Sequence, residues 1–151
     1  MKKINMFLAV LFFTAIFSAC STITLKPVNY AWPVENVVPV ASDYNITVPR
    51  YSLTINIKPI LKEEKLIKNN SPIVSEIRLI RDDKGYFYLT GKLFKNVYVI
   101  TAKEGAMEVK NIIFISKKGM ISPAMNYRSG HIELLLNDGK RKIKINNDGI
   151  L

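Results

Sequence analysis

A chain of 151 residues with 22 basic and 12 acidic side chains is long enough for one hydrophobic core and too short for a second independent domain. A single cysteine excludes an intramolecular disulfide and any cysteine metal cluster, so the core must supply the stability. The positive excess is mostly lysine and is spread along the chain, which points to a generally cationic surface and an anionic neighbour rather than a dedicated basic arm.

Met1-Lys2-Lys3 precedes an apolar run from Met6 to Phe17, and Ser18-Ala19 leads into Cys20. A positive end, a short apolar helix and small residues in that order form an export signal. The run stops short of the roughly 20 apolar residues that a spanning helix needs.

Phe17-Ser18-Ala19-Cys20 resembles the lipobox of bacterial lipoprotein signal peptides, matching at Ser18, Ala19 and Cys20, with Phe17 where leucine is usual. The resemblance implies a diacylglyceryl group on the Cys20 sulfur, cleavage before Cys20 and acylation of the freed amine. A thiolate is the strongest side-chain nucleophile near neutral pH, which is why this chemistry requires cysteine. Bulky Phe17 disfavours an ordinary leader cut at the same place.

The expected organisation is therefore a signal peptide over 1–19, a lipidated end and short tether over 20–26, and one β-rich domain over 27–151. One acyl chain binds a bilayer marginally, and two or three hold firmly. Ser21 in place of aspartate implies, for Gram-negative members of the class, carriage to the outer membrane and a domain facing the periplasm. Without Lys2 and Lys3, the remaining excess is eight positive charges.

Pro27, Pro33, Pro39 and Pro49 fall in the stretch that follows, yet Val28, Tyr30, Trp32 and Val34 alternate with period two. That pattern predicts an edge strand, where proline is tolerated. Residues 51–58 alternate apolar and polar throughout and predict a half-buried strand. Residues 61–68 have the spacing of one or two helical turns, with Glu64 and Lys68 four apart.

From Ser75 onward, runs rich in β-branched and aromatic residues predict strands at 77–81, 86–94, 97–101, 109–116, 131–136 and 142–146. Turn chemistry separates them at Asp82-Asp83-Lys84-Gly85, Lys103-Glu104-Gly105, Lys117-Lys118-Gly119, Arg128-Ser129-Gly130 and Asn137-Asp138-Gly139-Lys140. Asp138-Gly139 between two apolar runs is a strong hairpin signal. The expected fold is all-β: an antiparallel meander of about eight or nine strands closed as a sandwich or small barrel, after the N-terminal signal helix.

Candidate functional residues are few. Cys20 is the lipidation site that the resemblance implies. Lys140, Arg141, Lys142 and Lys144 form the densest basic run, with Lys142 and Lys144 on one strand face, and Lys117 and Lys118 join them if the strands neighbour. Such a patch suits phosphates of an anionic lipid or glycan; the plainer reading is a solvated face that also guards a sheet edge.

His131 lacks neighbouring partners for a metal or a nucleophile and reads as a surface residue. Asp82 and Asp83 read as turn residues, without the spacing of an oxygen-ligand loop. Tyr30, Trp32, Tyr51 and Tyr127 read as core. No phosphate loop, nucleophile elbow or metal-helix motif is present, so no cofactor, metal, nucleic acid or catalytic role is expected. The expected partners are a membrane through the anchor, and either an envelope protein or an anionic lipid or glycan.

Overall fold

The computed structural model describes residues 33–103 and 105–151. The expected signal peptide and tether, Cys20, and Val28, Tyr30 and Trp32 of the expected first strand lie outside the described residues. Val34, the last member of that alternation, is in irregular backbone leading to β1 (Asn36–Pro39).

β2 (Asn45–Val48) and β3 (Leu53–Asn56) form a hairpin joined by a 3-10 turn, Pro49–Tyr51. The strand expected over 51–58 is thus shorter, because Pro49 starts the turn and Ser52 sits at φ 49°. Its alternation survives, with Ile55 buried while Thr54 and Asn56 face water.

The helix α1 spans Lys58–Glu63 and begins three residues earlier than its spacing suggests. Pro59 occupies the first turn, where its fixed φ favours helix and its missing N–H costs nothing. Lys65, at φ 60°, ends it, and the chain continues through the small hairpin of β4 (Ile67–Lys68) and β5 (Ser71–Pro72).

Two antiparallel sheets follow, and helix is a minor component, at 8% of the described residues against 53% strand. β6 (Glu76–Arg81), β7 (Phe87–Thr90), β8 (Asn96–Lys103) and β9 (Ala106–Phe114) run in chain order, with β1 added beside β6. β10 (Ala124–Arg128), β11 (His131–Leu136), β12 (Arg141–Asn146) and β13 (Gly149–Ile150) form the second sheet, also in chain order. The meander is present twice. The architecture is sandwich-like, with no closed barrel, and the shortest strands raise the number to thirteen among the described residues.

Paired residues across a sheet share a face, so the register separates the two faces of the five-stranded sheet. Leu79, Leu89, Tyr98 and Ile112 lie on one, and Ile80, Tyr88, Val99 and Asn111 on the other. The first face meets the N-terminal layer: the Phe87 ring stands edge-on to Tyr51 at 5.3 Å, and the Tyr98 hydroxyl reaches Glu64 at 3.0 Å. On the second face, Asn111 donates to the Asn147 carbonyl at 3.2 Å, in the turn between β12 and β13.

The large sheet is therefore the middle of three layers. Double coverage explains why 87–90 and 97–100 are buried at every position instead of alternating.

Candidate functional site

The basic run is divided by the fold. Lys142 pairs with Leu135 and Lys144 with Glu133, so both lysines stand on the outer face of the four-stranded sheet, as their period-two spacing predicts. Glu133 lies among them, with Lys142 Nζ at 3.8 Å and Arg128 Nε at 4.0 Å from its carboxylate oxygens. Arg141 pairs with buried Leu136 and so belongs to the opposite parity, at the open end of β12. Lys140 is in the 137–140 turn, where Asn137, Asp138 and Gly139 all have positive φ. The four residues do not share one face. Lys117 and Lys118 lie in the connection from β9 to β10, which joins the two sheets, and do not extend the Lys142 and Lys144 face.

His131 opens β11 opposite Arg128, half-buried on that same outer face. Asp82 and Asp83 behave as turn residues. Asp82 is buried, with Oδ1 accepting from the Tyr86 N–H at 2.8 Å and Oδ2 from the Tyr88 hydroxyl at 3.0 Å. Asp83 accepts from Tyr127, and that hydrogen bond, followed by burial, holds the phenol above the usual range. Tyr51 and Tyr127 pack against the core. Cys20, Tyr30 and Trp32 lie outside the described residues.

Two carboxylates acquire roles that sequence reasoning missed. Glu64 is 3% exposed and follows α1. It accepts the backbone N–H of Lys95 at 2.7 Å and of Asn96 at 3.2 Å, the Asn96 amide at 2.7 Å and the Tyr98 hydroxyl at 3.0 Å. Its spacing from Lys68 is that of a helical pair, and nothing local in sequence identifies donors some thirty residues away. Glu35 accepts from Arg78 Nη1 at 2.7 Å and from the Met125 N–H at 2.7 Å, linking β6 to β10 across the two sheets. Burial pushes its carboxyl above the usual range, against the opposing pull of Arg78 and the Met125 N–H.

Among the described residues, no group of three or more His, Cys, Asp or Glu is placed to hold a metal ion, and no helix is long and apolar enough to cross a membrane. A cavity of about 460 Å³ opens between β3 and the end of the β8–β9 hairpin, lined by Leu53, Ile55, Ala102 and Met107 among others. A second, of about 340 Å³, lies beside Arg78, Lys92, Ile121 and Asp138. No family model, curated protein or solved structure matches the chain.

Proposed function

We propose that this chain is an envelope lipoprotein, held on a membrane by acyl chains on Cys20, whose β domain binds or scaffolds another envelope component without catalysing a reaction. The observation that carries it is Ser18-Ala19-Cys20 at the end of an apolar run that Lys2 and Lys3 precede. Two buried carboxylates serve the fold itself. Glu64 and Asp82 spend their oxygens on backbone N–H groups and tyrosine hydroxyls, which is how a carboxylate anchors a loop.

Metabolic labelling with palmitate and mass spectrometry of the mature amino terminus test the anchor. The expected product starts at acylated Cys20, and Cys20→Ala takes up no label. A Cys20→Ala chain that fractionates with membranes at wild-type yield, or an intact chain found soluble with Met1 in place, overturns the proposal. Pull-down from detergent-solubilised envelopes tests the scaffold, with one partner recovered in constant ratio as the expected result. Recovery of the chain alone overturns that part.

A further inference from the structure

The two ends of the sandwich differ in charge. At one end the 91–95 loop, the 115–123 connection and the 137–140 turn are tied together by backbone hydrogen bonds. Leu93 N–H donates to the Met120 carbonyl at 2.9 Å, Ile115 N–H to Lys95 at 2.9 Å, and Asn137 N–H to Ile121 at 2.9 Å. These segments bring together Lys92, Lys95, Lys117, Lys118 and Lys140, and Arg141 adjoins them at the start of β12.

Asp138 is the one acidic residue in those segments. Nearby Glu76 is paired with Arg78 at 3.7 Å, and Glu64 is buried under its four donors. None of the ion pairs among the described residues involves the six cations. At the opposite end, the turns at 82–85, 128–131 and 147–148 and the end of β8 carry Asp82, Asp83 and Asp148 against Lys84, Arg128 and Lys103, the last paired with Glu108.

The cationic end also displays apolar side chains. Leu93 is 41% exposed, Phe114 53% and Ile121 60%. Leu93 is held at φ 69° and lies against Gly119, at φ 84°. Gly119 makes the arrangement possible, since a Cβ there would lie 2.6 Å from the Leu93 carbonyl oxygen. Exposed apolar residues ringed by lysines match a bilayer boundary, where the apolar groups enter the headgroup region and the ammonium groups meet phosphates.

We propose that this end of the sandwich is a docking face for an anionic lipid surface, with Leu93, Phe114 and Ile121 entering the boundary and Lys92, Lys95, Lys117, Lys118, Lys140 and Arg141 engaging the headgroups. It rests on the membrane attachment proposed above and adds which way the domain faces. The twelve residues 21–32 reach at most about 40 Å. The nine-residue β9 is about 30 Å long. A chain anchored at Cys20 therefore has the length to lay this end on the bilayer that holds its lipid.

The test places the full-length chain, purified from membranes, in phosphatidylglycerol–phosphatidylcholine vesicles and in phosphatidylcholine vesicles, with flotation and amide hydrogen exchange as readouts. In the anionic vesicles the amides of 92–95 and 117–122 exchange about tenfold more slowly at low salt, and the protection disappears near 1 M salt. Each lysine near an anionic surface is worth about fivefold, so K117A/K118A lowers the docked-to-free ratio more than about tenfold while the chain still floats.

Equal exchange in the two vesicles, slowing at 82–85 and 128–131 instead, or protection unchanged in K117A/K118A overturns the docking face while leaving attachment standing. A chain that floats with neither composition overturns attachment and docking together.

Discussion

Tyr98 donates its hydroxyl to Oε1 of Glu64 at 3.0 Å, across the boundary between the N-terminal layer and the five-stranded sheet. The same carboxylate takes the backbone N–H groups of Lys95 and Asn96, so it fastens the end of α1 to the loop that opens β8. A buried carboxylate is costly to desolvate, and four converging donors offset that cost. Glu64→Ala removes the acceptor and leaves the donors without it. The expected loss is about 2–4 kcal/mol, seen as a lower urea midpoint at unchanged m-value, with partial recovery in Glu64→Gln. A loss below about 0.5 kcal/mol, the range of ordinary surface changes, would refute this role for Glu64.

Glu35 gives stability a second, pH-dependent component. Burial raises its folded-state pKa above the ordinary 4.5, although Arg78 and the Met125 N–H pull the other way. The folded state then binds the proton more tightly than the unfolded state does. Its contribution to stability is complete below about pH 4.5 and is lost as pH rises through the folded value. Melting temperature should decline over this window in the wild type, and Glu35→Gln, which cannot ionise, should flatten that part of the profile. Identical slopes for the two chains would contradict the assignment.

How legible these features were depended on sequence distance. The strand 131–136 and its hairpin were readable because alternation and Asp138-Gly139 are local signals. The runs 87–90 and 97–100 were readable as strands but not as the middle of three layers, since a continuous apolar run reports that both faces are covered without saying by what.

β1, β2 and β10 were missed, as were the two-residue strands β4, β5 and β13. Asn45-Ile-Thr-Val48 is only four residues long in a proline-rich stretch, and Ala124-Met-Asn-Tyr-Arg128 has weak strand preference until it pairs with β11. The roles of Glu64 and Glu35 depend on donors 31 to 90 residues away. The cationic end was legible only in part: Lys117 and Lys118 were expected to join Lys140 and Arg141 if their strands neighbour, whereas Lys92 and Lys95 reach them only when the meanders fold.

Gly119 and Gly139 separate two causes of glycine dependence. Both have positive φ, +84° and +83°. A Cβ at Gly119 would also strike the Leu93 backbone at 2.6 Å, whereas one at Gly139 meets nothing within 4 Å. Gly139→Ala should therefore cost only the backbone term, about 1–2 kcal/mol. Gly119→Ala should cost clearly more, because the 91–95 loop must shift as well. Denaturant midpoints decide it, and equal losses would mean that Leu93 moves aside freely.

Alkaline titration tests the double coverage of the large sheet directly. Tyr88 and Tyr98 lie on opposite faces of it, one bonded to Asp82 and the other to Glu64. Burial, followed by the neighbouring carboxylate, lifts both phenols far above their ordinary value of 10. Unfolding frees them to ionise, so their contribution to stability is intact below about pH 10 and declines as the pH rises beyond it. Tyrosinate absorbance of the native chain near pH 11 should fall short of the seven tyrosines by at least two, and those two should appear only with unfolding. If all seven ionise while the β-sheet circular dichroism persists, water reaches one of these faces and the three-layer arrangement is wrong.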